Sequence, residues 1–157
     1  MNEKELKIIL AEGEGYNIEF KENFDKNLDR EMVAFSNSSG GRIILGVCDT
    51  GEIKGISITN KLKSTILDIA RNCDPPITPD LLRIKNILII DIPKGKRKPY
   101  QCKDGFFIRV GTTTQKMKRD EILKFITTKS IVHFDEEINY NFDIKKDFDR
   151  QKFFLVP

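Results

Sequence analysis

The stretch AFSNSSGGRIILGVCD, residues 34–49, decides the fold of this chain. Its first residues end an amphipathic helix, whose apolar side chains recur at helical spacing (Leu28, Met32 and Phe35). The Ser-Ser-Gly-Gly sequence at 38–41 stops that helix, because these residues favour turns. A mostly apolar run follows at 42–47 and predicts a buried strand. A helix followed at once by a buried strand indicates a domain of the α/β type.

The flanking sequence supplies the remaining elements of such a domain. Upstream, Asn2 and Glu5 have the spacing of a capping box and predict a short first helix. Alternation at 17–21 predicts a strand with Ile18 and Phe20 on one face and polar side chains on the other. Downstream, apolar spacing and turn residues predict a short hairpin partner at 53–56, a helix at 62–73, hairpin strands at 81–84 and 87–92, a strand at 105–110 and a helix at about 118–128.

These elements predict an α/β (α+β) fold in which a mixed sheet with hairpins is packed by about three to four helices. We assign the domain to residues 1–129. Residues 130–157 lose the periodicity and become acidic and aromatic. We interpret them as a C-terminal extension, which is either the start of a truncated further region or a segment that packs on the edge of the domain.

The composition excludes several classes of protein. None of the 157 residues belongs to an uninterrupted apolar stretch of the roughly 18 to 20 residues that span a bilayer, and the first ten residues are charged. A membrane or secreted protein is therefore not expected, and we predict a cytoplasmic location. The three cysteines are widely spaced and His133 is the only histidine, which argues against a disulfide framework, a zinc site and a histidine-centred triad.

The net charge of +3 hides a strong segregation of charge along the chain. Residues 83–119 hold eleven basic and two acidic side chains, a balance of +9. Residues 1–31 hold nine acidic and five basic side chains, a balance of −4. The basic segment is a candidate anion-binding surface, since clustered cations attract polyanions.

The basic segment contains a loop, residues 93–99, that is rich in lysine and arginine and bounded by prolines. Such a loop gains affinity for nucleic acid by displacing counterions from phosphates. A neighbouring tyrosine ring and a later Arg-Val-Gly-Thr-Thr-Thr sequence offer stacking and hydrogen bonding. The predicted contacts are Lys94, Lys96, Arg97, Lys98, Tyr100, Arg109, Thr112 and Thr113. The alternative interpretations are a solvated hairpin tip for the loop and a strand end with a helix cap for the threonines.

The acidic part of the chain carries a second candidate site. Glu14 precedes Glu19 by five residues, Lys21 shares the strand face of Glu19, and Asp49 ends a neighbouring strand. Three converging carboxylates could bind Mg²⁺ or Mn²⁺ through oxygen and activate a water for attack on a phosphodiester. Solvated acids and a simple Glu19–Lys21 ion pair are the alternative interpretation.

Three segments, taken in order and spacing, resemble the Schlafen AlbA_2 domain family. They are EGYNIEFK at 14–21, the stretch at 34–49 with GEIKGI at 51–56, and FIRVGTTT at 107–114. The resemblance covers roughly residues 10–128. It implies an α/β domain that binds nucleic acid, which in bacterial members is part of transcriptional regulators.

The resemblance also implies a possible activity. In animal Schlafen proteins the related core cleaves structured RNA such as tRNA with two glutamates at ExxxxE spacing and a later aspartate. Glu14, Glu19 and Asp49 match these positions, and Lys21 would stabilise charge on the phosphate. Position 48 is Cys where the family commonly has an acid. The animal enzymes clamp RNA with two copies of the fold, so one copy here would form a homodimer or act as a binder only.

We therefore predict a nucleic-acid-binding domain, for DNA or RNA, of a transcriptional regulator, with no cofactor required for binding. The first alternative is a Schlafen-type endoribonuclease that depends on Mg²⁺ or Mn²⁺ held by Glu14, Glu19 and Asp49. The second is a non-catalytic scaffold or oligomerisation domain. The expected partners are nucleic acid and a second copy of the chain.

Overall fold

A computed structural model describes the backbone of residues 2–134 and the side chains of residues 2–127. The residues up to Ile126 form one compact unit. A second unit begins at Thr127, and only its first helical residues are described. Residues 135–157 of the predicted extension lie outside the described residues. Within the described part, no helix is long and apolar enough to cross a membrane.

The described residues form four helices and seven strands. The helices are α1 (Glu3–Glu12), α2 (Leu28–Asn37), α3 (Asn60–Arg71) and α4 (Arg119–Phe134). The strands are β1 (Ile18–Lys21), β2 (Gly41–Leu45), β3 (Asp80–Ile84), β4 (Ile87–Ile92), β5 (Gln101–Cys102), β6 (Gly105–Val110) and β7 (Thr113–Lys116). The capping box predicted for the first helix is present, with the Asn2 side chain accepting hydrogen bonds from backbone N–H groups and Glu5 bonding back to Asn2.

The first four strands form a mixed sheet in the order β1-β2-β4-β3. β1 and β2 run parallel, with Glu19 opposite Ile43, whereas β4 is antiparallel to both β2 and β3. Since β1 and β2 are parallel, their carboxyl ends lie side by side at the same end of the sheet. The opposite ends of these strands lie beside the end of β4, since Gly41 pairs with Ile92.

The apolar side chains of β2 alternate between two cores. Ile43 and Leu45 pack with α2 and α3, whereas Ile44 packs with Phe20 and with Leu6 of α1. The mixed sheet is therefore covered on both faces. This explains why β2 is apolar along its length instead of alternating with polar residues.

A second sheet, in the order β5-β6-β7, packs on the other side of α2. Phe107 of β6 joins the core that α2 shares with β2 and β4. Every residue from 32 to 37 in α2 is buried, including Ser36 and Asn37. α2 is therefore a central helix enclosed by two sheets, and not a surface helix with a single apolar face.

The structure confirms the predicted α+β class and most elements, with two corrections. β5 and β7 were not predicted, because both are short and polar and have no clear alternation. The hairpin predicted at 53–56 is reduced to a single bridge between Val47 and Ile53. The glycines on either side of it, Gly51 and Gly55, both have positive φ, which interrupts extended pairing.

Candidate nucleic-acid interface and carboxylate cluster

β1 positions the predicted carboxylates. Ile18 and Phe20 face the core beneath α1, so Glu19 and Lys21 point to the opposite side of the sheet, as predicted. Glu14 lies in the loop before β1, and one of its oxygens accepts a hydrogen bond from the Phe20 N–H at 2.9 Å. This bond fixes the loop against the strand and brings Glu14 close to Glu19.

Glu19 is held between two cations. Its Oε1 lies 3.0 Å from Lys21 Nζ, and its Oε2 lies 2.9 Å from a terminal nitrogen of Arg109. The Glu19–Lys21 ion pair, which was the alternative interpretation to a metal site, is therefore present. Glu31 of α2 contacts the same two cations, at 3.8 Å from Lys21 and 3.5 Å from Arg109.

Arg109 is the centre of this network. The same terminal nitrogen also donates to the Thr114 hydroxyl, and its second terminal nitrogen donates to the carbonyls of Gly15 and Thr112 at 3.1 and 2.8 Å. The guanidinium lies 4.7 Å from the Phe35 ring centroid, and the Arg109 side chain is 0% exposed. Arg109 thus joins β6, β7, α2 and the loop before β1.

The burial of Arg109 corrects its predicted role as a phosphate contact. A fully buried guanidinium that already carries two carboxylates can reach a phosphate only by breaking those ion pairs, which costs several kcal/mol. The sequence contained a pattern that could have predicted this burial. Phe107 and Arg109 are two residues apart in β6, so both side chains lie on the same face of the strand.

Glu31 and Thr114 complete the network and were not predicted as site residues. Thr114 donates a short hydrogen bond to Glu31 Oε2. Glu31 precedes Phe35 by four residues, so helical spacing places its side chain beside the ring on which Arg109 rests. This four-residue spacing is the feature of the sequence that could have predicted Glu31 as a site residue.

The local electrostatics raise the pKa of Glu14 above its ordinary value of 4.5. Burial is the largest cause, the Phe20 N–H opposes it, and the negative charges of Glu19 and Asp49 add to it. Burial by itself would lower the pKa of Lys21, but its contacts with Glu19 and Glu31 raise that pKa above 10.5. Lys21 is therefore fully charged at neutral pH.

The three predicted metal ligands are electrostatic neighbours but do not share one tight coordination sphere. Glu14, Glu19 and Asp49 are not among the described groups whose ligand atoms lie within 4.8 Å of one another. Their oxygens nevertheless suit Mg²⁺ or Mn²⁺. Glu19 and Glu31 contact the two cations Lys21 and Arg109, and Glu14 lies in the electrostatic field of Glu19, Asp49 and Lys21.

Another set of close ligand atoms in the described residues belongs to Asp29, Cys102 and Asp104. Asp104 is paired with Arg30 at 2.9 Å, and Asp29 lies 3.9 Å from Lys103. Burial raises the pKa of the Cys102 thiol. We interpret this set as an ion-pair cluster that ties α2 to the β5–β6 turn.

The basic loop, residues 93–99, projects from the end of β4. Lys94, Lys96 and Arg97 are exposed. The loop is fixed at its base, because the Gly95 N–H donates to the Ser36 carbonyl at 2.8 Å and Lys98 Nζ donates to the carbonyls of Asn37 and Ser38. Lys98 thus interacts with the carboxyl end of α2, where cations are favoured.

Tyr100, at the end of the basic loop, lies in the core with 8% of its surface exposed. Asn37 accepts a hydrogen bond from the Tyr100 N–H at 2.7 Å and donates to the carbonyls of Tyr100 and Phe107, both at 2.8 Å. The prediction that Tyr100 stacks on a base is therefore wrong for this structure. Its ring anchors the loop.

Thr112 and Thr113 lie at the exposed tip of the β6–β7 hairpin, as a nucleic-acid contact requires. Val110 pairs with Thr113, so Gly111 and Thr112 form a two-residue turn. The Thr112 carbonyl accepts from Arg109, and the Thr113 hydroxyl donates to the Val110 carbonyl at 3.0 Å. The tip is exposed and tied to the buried network.

Together these features define a class of protein: an α+β domain with a basic loop at the carboxyl end of a central helix and a cluster of carboxylates beside the first turn of the same helix. The Schlafen AlbA_2 family model matches residues 14–118, more than half of the sequence, and the chain belongs to this family. Family membership supports a function related to nucleic acid. The resemblance inferred from the sequence segments is confirmed.

Among solved structures, the DIP2311 protein from Corynebacterium diphtheriae has a similar fold, with a TM-score of 0.56 and 19% sequence identity. The similarity covers 78% of this chain and 27% of that protein. This chain thus corresponds to about a quarter of that protein, and the likeness shows the fold alone. No curated protein matches the chain significantly.

Proposed function

We propose that this domain binds nucleic acid through the exposed cations of the basic loop, Lys94, Lys96 and Arg97. The observation that carries the proposal is a cluster of exposed cations on a loop fixed at both Gly95 and Tyr100. A loop anchored in this way loses little conformational entropy when it binds. Its cations gain free energy by releasing counterions from the phosphate backbone.

The binding surface extends from the basic loop toward the β6–β7 tip. Ser38 links the two, because its carbonyl accepts from Lys98 and its hydroxyl accepts from the Arg109 N–H at 3.1 Å. Thr112 and Thr113 then offer hydroxyls to the sugar-phosphate backbone, contacts that position a ligand without reading its sequence. On the family resemblance, we assign this binding to transcriptional regulation.

Fluorescence anisotropy with labelled single-stranded DNA, duplex DNA and tRNA at about 50 mM salt tests the proposal. The variant Lys94→Gln/Lys96→Gln/Arg97→Gln should bind about tenfold more weakly or worse. The matched control Lys7→Gln/Lys26→Gln/Lys61→Gln removes three exposed cations elsewhere and should retain most of the affinity. Equal losses in both variants would contradict the proposal. Absence of binding by the parent at low salt would favour the scaffold alternative.

A metal-dependent endoribonuclease is a second candidate function. It is favoured by the placement of Glu14 in the electrostatic field of Glu19 and Asp49. Glu14, Glu19 and Asp49 would hold the ion, which when bound supplies Lewis acidity and an activated water. Lys21, charged and next to Glu19, would stabilise the phosphate.

Incubation of labelled tRNA with and without Mn²⁺ tests this activity. The informative variants are Glu14→Gln and Asp49→Asn, because Glu19→Ala would remove a counterion from buried Arg109 and perturb folding. Metal-dependent cleavage by the parent that both variants lose would support the nuclease. Tight tRNA binding without cleavage would exclude it for this substrate.

A further inference from the structure

An open groove of about 360 Å³ adjoins the basic loop and has no role in the site described above. It lies at the end of the mixed sheet at which β1 and β2 begin and β4 ends. Its floor is Gly40 and Gly41, and its polar lining comes from Asn17, Ser39, Arg42, Asp91 and Lys94. The volume falls in the range of small-ligand sites.

Two glycines that line the groove are packed closely against the rest of the domain. A Cβ at Gly40 would lie 2.8 Å from both the Ile92 carbonyl oxygen and the Lys94 nitrogen, and the φ of Gly40 is +82°. A Cβ at Gly41 would lie 2.4 Å from the Phe35 ring. The backbone at the start of β2 is therefore packed closely against β4 and α2.

The donors around the groove suit a phosphate and its sugar. Lys94 and Arg42 supply positive charge, and the hydroxyl of Ser39 and the amide of Asn17 lie in contact with each other at 3.3 Å. Arg42 is paired with Asp91 at 3.1 Å, and both side chains are exposed by more than a third. The half-exposed carboxylate of Asp91 offsets one of the two cations.

We propose that this groove holds one phosphate-bearing nucleotide of a single strand whose backbone continues onto the basic loop. The inference rests on the proposed nucleic-acid binding and narrows it to single strands. Lys94 belongs to both surfaces and makes them continuous. A duplex holds its phosphates at fixed positions on a rigid cylinder. The backbone of a single strand is flexible, so one nucleotide can turn into a recess.

The test is a gain of affinity, which a folding defect cannot imitate. Asp91→Asn removes the carboxylate of the groove and releases Arg42, so a labelled eight-nucleotide single strand should bind at least ~3-fold more tightly. The control Asp68→Asn makes the same change of net charge at an exposed position of α3. Its affinity for the single strand should rise clearly less than that of Asp91→Asn. Equal affinities of the two variants would overturn the proposal.

Two further comparisons separate the possible failures. Ser39→Leu should fill the groove and weaken single-strand binding by about fivefold or more, whereas Ser64→Leu on α3 should not. The Asp91→Asn gain should be absent for a blunt duplex of the same sequence, and an equal gain there would overturn the single-strand assignment.

If the parent binds no nucleic acid, the proposed function itself fails. If it binds but Asp91→Asn and Ser39→Leu match their controls, only the groove inference fails.

Discussion

Arg109 shows how a charged residue in a short sequence motif can have a structural role. The motif around it offers arginine, glycine and threonine hydroxyls, which suit a phosphate contact. The fold instead surrounds the guanidinium with Glu19, Glu31 and Thr114, and only its Nε lacks a hydrogen-bond partner among the buried atoms described. Its charge stabilises the domain from inside and sets the position of Glu19.

Replacing Arg109 should destabilise the protein strongly. Arg109→Ala leaves Glu19 and Glu31, whose side chains are 12% and 16% exposed, without their main cation, so we expect a loss of about 3–5 kcal/mol in the free energy of unfolding. Urea denaturation measures the effect. The control Arg71→Ala removes an exposed arginine from α3 and should cost less than about 1 kcal/mol. Similar losses in both variants would refute the structural role.

Glu14 should make stability depend on pH. Because burial raises its pKa in the folded state, the folded protein binds more protons than the unfolded chain between pH 4.5 and that raised pKa. The contribution of Glu14 to the free energy of unfolding therefore falls as pH rises through this window. Glu14→Gln should remove this slope, and its stability relative to the parent should be higher at neutral pH than at pH 4. A carbon-13 NMR titration of the Glu14 carboxyl that gives a pKa at or below 4.5 would refute the prediction.

At the scale of elements, α2 organises both candidate sites. Its carboxyl end holds the basic loop through Ser36, Asn37 and Ser38, and its first turn presents Glu31 to the carboxylate cluster. The two surfaces are consequently fixed relative to each other by one buried helix. The basic loop is hydrogen-bonded to the end of α2 through Gly95 and Lys98, while Lys94, Lys96 and Arg97 are exposed to solvent.

Close packing of the basic loop predicts a specific glycine requirement. A Cβ at Gly95 would lie 2.3 Å from the Tyr100 ring and 2.8 Å from the Ser36 carbonyl oxygen. Gly95→Ala should therefore cost about 1–3 kcal/mol and weaken nucleic-acid binding, as measured by urea denaturation and anisotropy. Gly15→Ala is the matched control, since a Cβ there meets nothing within 4 Å and its φ is not positive. A Gly95→Ala protein as stable as this control would show that the loop is not packed as described.

At the scale of the whole molecule, the distribution of charge along the chain is more informative than the net charge of +3. The basic balance of residues 83–119 includes Arg109, which is neutralised internally, and Lys98, which is engaged by α2 carbonyls. Fewer cations are exposed on the loop than the sequence count suggests, and under the proposed function they would determine how salt affects binding.

The salt dependence of binding should report those cations directly. If Lys94, Lys96 and Arg97 each neutralise one phosphate of a single strand, the triple glutamine variant should lower the slope of log K against log salt by about 2. Anisotropy titrations between about 50 and 200 mM salt measure the slope. The variant with Lys7, Lys26 and Lys61 replaced should keep the parent slope, and a change in its slope as large as in the loop variant would contradict the assignment.

The elements with strong periodicity could be predicted from sequence because their patterns are local. The helix around Phe35, the buried strand after Gly41 and the alternation of Ile18 and Phe20 each follow from residues within a few positions. The carboxylates Glu14, Glu19 and Asp49 could be proposed as neighbours from spacing and family resemblance. Strands β5 and β7 were missed, because they are short and depend on pairing with β6.

The sequence by itself determined the fold class, the family and the separation of acidic and basic segments, since all three depend on residue types in order along the chain. Only the tertiary structure decided which charges face solvent. Arg109 and Glu19 are 90 residues apart, and Lys98 and Asn37 are 61 apart, so no local pattern could pair them. Burial converts the paired cations into internal supports, because a desolvated charge must keep its counterion. Lys94, Lys96 and Arg97 of the basic loop lie exposed at the surface.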